Sequence, residues 1–361
     1  MNKLILAAII LASTACSILK FENKNEKAYV VERERESLSV IKNKKEFQTI
    51  KGLGNLNHAT MKFKDGFGYV LARDGFISKI DVVNDQLVKK VKVGKSGIGI
   101  TFTESQVVIV NYDPNSVVVL DLDLNVQKVI ETNSRNVGVK YWNGLLVFSL
   151  MDKNEIWVVN TRDDFKVVKK IENAGQLPFD ALIKDHIYLV GFFNEASVGV
   201  MDLRDFTYKK VSLSNSANNV TYKVPHFGTW GIIGNTAIVP IASNHKLLVL
   251  DLKEIKPIQE IDLIGSPVFA TVSPDKDTVV VSYSGEQEDY ISVVDTKDFQ
   301  IKKEFKAGQR VMHFRYSSDG RYFYLSSYFE NKVHIFGTEK WEKIGSVAVS
   351  TPSGIFIKGL E

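Results

Sequence analysis

An apolar run ending in a small or acidic residue recurs along the chain, at Val40-Ile41, Ile80-Asp81, Leu120-Asp121, Val159-Asn160, Met201-Asp202, Leu250-Asp251, Val294-Asp295 and Phe336-Gly337. Successive copies lie about 39 to 49 residues apart, the period of a four-stranded propeller blade. From Ala28 onward the runs are short, β-branched and aromatic, broken by Gly, Asn and Asp, with no sustained helical periodicity. The chain therefore reads as all-β, an eight-bladed β-propeller of four-stranded blades.

Each period divides into strands. In the second copy these are 59–63, 68–72, 76–81 and 87–93, with Asp65-Gly66 at the first turn and Arg73-Asp74-Gly75 at the second. The third copy repeats the scheme at 98–102, 107–111, 116–121 and 127–131. An Asn- and Ser-rich insertion, Asn215 to Pro225, precedes blade six. The first copy, Tyr29 to Ile50, has only three strands, and Gly354 to Lys358 at the far end of the chain is free to supply the fourth. That C-terminal strand would close the ring and leave no open sheet edge.

In such a ring the loop entering each inner strand and the turn between strands two and three emerge on one face. The Gly-rich stretch Gly52 to Ala59 delivers His58 there, and His226 and His313 also fall at inner-strand entries. Arg73, Asn111, Tyr112, Asp152 and Asn194 fall in second turns, so all eight residues are expected in one funnel. His186, His245 and His334 are expected outside it, in structural or solvated positions.

The formal net charge of +4 over 361 residues, without a clustered basic face, gives no reason to expect a nucleic-acid partner. The N-terminus carries a different signal. Lys3 precedes an apolar run from Leu4 to Ala12, too short to span a membrane permanently and suited to secretion. The run ends Ala12-Ser13-Thr14-Ala15-Cys16, similar to a bacterial lipobox, and it holds the only cysteine. The expected organisation is a signal peptide over 1–15, a lipidated Cys16 with a polar tether over 16–28, and the propeller over 29–361. The product would be a periplasmic lipoprotein anchored to the membrane through its N-terminal lipid. The alternative is an ordinary signal peptide cut near Cys16. One thiol excludes internal disulfides, and without Cys-x-x-Cys-His any haem would be held non-covalently.

Walker loops, dinucleotide-binding glycine motifs, His-Glu-x-x-His and cysteine metal clusters are absent, and no serine sits in a nucleophile elbow. Three histidines with an arginine and aromatics on one face suit a large, flat, anionic ligand containing a metal. Imidazole would ligate the metal, arginine would pair with carboxylates, and Tyr112, Phe227 and Trp230 would pack on the ring. By spacing alone, the competing reading is a propeller that binds a protein partner on the same face, and spacing does not favour the ligand over it.

Particular motifs narrow this. Asn57-His58-Ala59-Thr60, Ala72-Arg73-Asp74-Gly75-Phe76, Asn111-Tyr112-Asp113-Pro114, Gly175-Gln176-Leu177-Pro178-Phe179-Asp180-Ala181, Lys223-Val224-Pro225-His226-Phe227-Gly228-Thr229-Trp230, Gly265-Ser266-Pro267-Val268-Phe269, Val311-Met312-His313-Phe314 and Thr351-Pro352-Ser353-Gly354-Ile355-Phe356 stand in family order. Together they resemble the NirF family of haem d1 biosynthesis proteins, over the chain from about Tyr29 to its end. The family is itself similar to the d1 domain of the cd1-type nitrite reductase of denitrification. The chain departs from the pattern at Gly228-Thr229, beside Trp230, where an acidic residue and glycine are expected.

The resemblance implies a periplasmic protein that binds haem d1 or its late, iron-containing precursor and takes part in the late, oxidative conversion to haem d1. It places His58 as axial ligand to the haem iron, Arg73 at the carboxylates, and His226 on the opposite side of the ring as a proton-moving residue. His313 is implied as a further funnel residue, with Asn111, Tyr112, Asp152 and Trp230 around the cofactor. Implied protein partners are a periplasmic c-type cytochrome, a related d1 dehydrogenase or the nitrite reductase. The alternative is a non-catalytic carrier that delivers the cofactor to the reductase.

Overall fold

The structure is a computed structural model that describes residues 26–213, 226, 228 and 231–360. Cys16 with the leader, the insertion 215–225, Phe227 and Trp230 lie outside the described residues. Strands are numbered β1 to β32 along the chain.

Among the described residues the strands form eight four-stranded antiparallel sheets. In seven of them the order across the sheet is the order in the chain. The eighth sheet joins the two ends: β1 (Lys27–Glu32), β2 (Ser37–Lys42) and β3 (Lys45–Ile50) are completed by β32 (Pro352–Ile357). Ala28 pairs with Ile357 and Val30 with Ile355. The chain is thus an eight-bladed β-propeller closed by its C-terminal strand, as its sequence period predicts. β1 begins at Lys27, inside the stretch read as tether, because Lys27 Nζ meets the Asp85 carboxylate of the next blade at 2.6 Å and the Val82 carbonyl at 2.9 Å.

The sequence repeat has a local cause. At the end of the third strand in six of the eight blades, all but the first and the last, an Asx side chain accepts hydrogen bonds from the backbone of the following turn, which aims the chain into the outer strand. Asp81 takes the Val83 N–H at 2.8 Å, Asp121 the Asn125 N–H at 2.8 Å, Asn160 the Arg162 N–H at 2.9 Å and Asp251 the Lys253 N–H at 2.7 Å. Hydrogen bonds within these turns, from the Asn84 side chain to Asp81, the Asn125 N–H to Asp121 and the Glu254 N–H to Asp251 above all, hold the three carboxylates below their usual range.

Middle strands are sandwiched between neighbouring blades and read as unbroken apolar runs, such as the Val117–Leu120 core of β10 (Ser116–Asp121). Outer strands such as β11 (Val126–Glu131) alternate, with one face in solvent. The apolar side chains collect between blades, and the last of these layers packs Ala28, Val30 and Ile41 of blade one against Tyr324, Val333 and Ile335 of blade eight. Ring closure is therefore a hydrophobic interface as well as a ladder of hydrogen bonds.

Candidate functional site

The loop that carries His58 is built from glycine and leucine. Gly52 and Gly54 have φ of +78° and +91°, and a Cβ at Gly54 would lie 3.0 Å from the Asp74 carboxylate. Leu53 and Leu56 are fully buried and pin the loop to blades one and two. His58, at φ +58°, stays exposed beyond them, as does Asn55. Thr60, opening β4 (Thr60–Lys64), pairs with Leu71, closing β5 (Phe67–Leu71), so the His58 loop and the Arg73 turn leave the blade at the same edge. They are tied together there: the Arg73 N–H donates to the Asn55 carbonyl at 2.7 Å. The Arg33 guanidinium donates to Asn57 Oδ1 from the blade-one side.

His58, His226 and His313 line one cavity of about 370 Å³ at the mouth of the ring. Phe269, from β24 (Ser266–Val272), joins two of them. Its ring stacks on His226 at 4.3 Å with the planes 5° apart and meets His313 edge-on at 4.8 Å. Phe356 of β32 lies 5.8 Å from His313 on the other side. Arg33, Lys62, Arg310 and Arg315 also line the cavity, against a single acidic residue among the described ones, Glu288. The cavity is thus aromatic in its wall and cationic in its charge, which suits a flat anionic ligand. Burial, reinforced by Arg315 and His226, holds the pKa of His313 well below the usual imidazole range, so its ring is neutral.

Arg73, Asn111, Tyr112 and Asp152 form a second cluster on the same face and do not line the cavity; Asn194, exposed in its own turn, is not brought into either group. The guanidinium groups of Arg73 and Arg135 lie over the Tyr112 ring, at 5.2 and 5.6 Å from its centroid. Burial raises the Tyr112 phenol and the two arginines oppose the shift. Asp152 is held by Arg135 at 2.6 Å, a pairing that lowers its pKa. Asn111 is buried behind Tyr112 and donates to the Val93 carbonyl at 3.1 Å, linking blades two and three. Arg73 keeps one guanidinium nitrogen, Nη1, buried and without a hydrogen-bond partner. An orphaned cationic donor of this kind fits a ligand carboxylate, the group a tetrapyrrole would bring.

His186 and His334 lie away from the funnel. His186 faces Asp202 at 3.6 Å in a larger cavity of about 560 Å³ that also holds Arg204; the smaller cavity is the better candidate because it gathers the three funnel histidines and their aromatic wall. His334 is buried between Glu330 at 2.6 Å and Ser346 at 2.8 Å. His245 corrects the expectation: it follows the short turn Ala242–Asn244 between strands two and three of blade six, so it sits on the funnel face, exposed and outside the cavity. The sequence reading missed Phe269, Lys62, Arg310 and Arg315. Lys62 and Arg315 had a signal, since a cation within an inner strand of an all-β ring faces the channel.

Among known proteins, the family described as Cytochrome D1 heme domain matches residues 22–359. Protein NirF of Pseudomonas aeruginosa is 30% identical over 330 residues, spanning 85% of this chain and 84% of its own length. Protein NirF of Stutzerimonas stutzeri is 27% identical over 377 residues, spanning 98% and 96%. The solved structure of dihydro-heme d1 dehydrogenase NirN in complex with DHE shares the fold with a TM-score of 0.81 at 21% identity, over 91% of this chain and 74% of that one.

Proposed function

Because the chain belongs to the cytochrome D1 heme domain family, within its NirF branch, we propose that it is a haem d1 biosynthesis protein that binds a late iron-tetrapyrrole precursor in its funnel and takes part in the oxidative conversion of that precursor. The observation that carries this reading is the meeting of His58, His226 and His313 in one cationic, aromatic-walled cavity. When bound, the tetrapyrrole supplies an iron centre and a macrocycle able to give up electrons.

The residues divide the work. His58, exposed on a pinned loop at the cavity mouth, would hold the iron through its imidazole. Arg73, with its unpartnered Nη1, takes a carboxylate at the edge of the site. His226, its ring plane fixed by Phe269, moves a proton. The electrons given up when the macrocycle is oxidised would pass to an external acceptor, such as a c-type cytochrome. The protein works in the periplasm, tethered by a lipid on Cys16.

A single-turnover assay tests the reading. Purified protein, dihydro-haem d1 and an oxidised electron acceptor should give an altered tetrapyrrole and a reduced acceptor. Recovery of the bound tetrapyrrole unchanged, with the acceptor still oxidised, would make the protein a carrier.

A further inference from the structure

We propose that His313 is a hydrogen-bond donor fixed in one tautomer by the strand that closes the propeller, and is therefore neither an iron ligand nor a proton acceptor in the funnel. The backbone N–H of Ile355, in β32, donates to Nδ1 of His313 at 3.0 Å. A backbone amide only donates, so Nδ1 must present its lone pair. A neutral imidazole carries one proton, and that proton is then on Nε2. The lone pair a metal would need is already committed, and Nε2 offers a donor to the cavity that His313 lines.

The surroundings keep this arrangement. β32 is the innermost strand of its blade, so it has a strand partner on one side only, and the Ile355 N–H is satisfied by the histidine instead. Ser326 fixes the backbone of β28 (Val311–Tyr316): its hydroxyl accepts the His313 N–H at 2.8 Å and lies 2.9 Å from the carbonyl oxygens of both His313 and Ser353, donating to one of them. The ring also packs against Phe269 at 4.8 Å and Phe356 at 5.8 Å between centroids. A second proton would have to enter at Nδ1, against the Ile355 N–H and beside the Arg315 guanidinium. The donor role fits a ligand oxygen, a carboxylate or carbonyl at the periphery of the macrocycle. The identity of that ligand rests on the function proposed above; the tautomer does not.

The test uses the full chain. Nitrogen NMR of protein labelled in histidine, at about pH 7, should show His313 neutral with its proton on Nε2. A proton on Nδ1, or a doubly protonated ring, would overturn the proposal. Titration with dihydro-haem d1 supplies the second reading. His313→Gln, which keeps an amide donor near the Nε2 position, should bind like the parent, whereas His313→Leu should bind about tenfold more weakly. Both variants should keep the parental iron spectrum. Parental affinity in His313→Leu, or an altered iron spectrum in either variant, would overturn the donor role. A parent protein that does not take up dihydro-haem d1 would instead contradict the proposed function, and the nitrogen spectrum alone would then decide this inference.

Discussion

Arg73 is held from three directions, by its backbone bond to Asn55, by the Tyr112 ring and by the Asp74-Gly75 turn, and still keeps one buried donor unused. Loss of that donor should matter only when a ligand is present. Arg73→Ala is expected to weaken dihydro-haem d1 binding by about 1.5–3 kcal/mol, the range for a hydrogen bond to a charged group, without changing the iron spectrum; a binding titration with spectra checks both. His334 makes a prediction about pH. Burial lowers its pKa, only partly offset by Glu330, so it is neutral in the folded state at a pH where the unfolded chain takes up a proton. Stability is then fully present above about pH 6.5, the unfolded value, and falls as the pH drops below it. Thermal melts between about pH 7 and pH 5 should show a shallower loss in His334→Gln than in the parent; Glu330, also shifted down, acts below that window. The three funnel histidines were legible because inner-strand entries can be located from the period alone. Phe269 was not, because an aromatic in an inner strand reads equally as core. The pairing of Asp152 with Arg135 was also hidden, since it joins the turn of one strand pair to the entry loop of the same blade, and spacing carries no information about side-chain reach.

The Arg73 turn and the closing strand are the two elements on which the site depends. Gly75 has φ +80°, and a Cβ there would lie 2.3 Å from the carbonyl oxygen of Gly94, a backbone atom that cannot move aside. Gly75→Ala should cost about 1–3 kcal/mol in a denaturant melt and should loosen Arg73 with it. Its sequence signature, Arg-Asp-Gly between two apolar runs, was enough to place the turn. The closing strand was legible for another reason: a blade with three strands at one end and an unassigned apolar stretch at the other leave one economical solution. What the sequence did not disclose is that β32 also serves the site, through Phe356 and the Ile355 N–H. Backbone donors carry no sequence label.

For the whole molecule, each blade is stable only against its neighbours, so the ring should unfold as a unit. Deleting residues 351–361 strips blade one of its inner strand and opens the layer between blades eight and one. The truncated chain is expected to lose its single cooperative melt, observed by calorimetry or circular dichroism, at temperatures where the parent is folded. The proposed lipid anchor is tested separately from the ring. If Cys16 is lipidated, Cys16→Ala should move mature protein from the membrane fraction to the soluble periplasm, because the polar stretch after it has nothing to replace the acyl chains. The central claim is that the funnel holds an iron tetrapyrrole through His58. A spectroscopic titration of the purified full chain with dihydro-haem d1, run beside His58→Ala, tests it most directly. The parent should saturate near one equivalent with a shifted iron spectrum, and the variant should show a different bound spectrum, since the ligand field changes. An absence of saturable binding in the parent, or identical bound spectra in the two proteins, would contradict it.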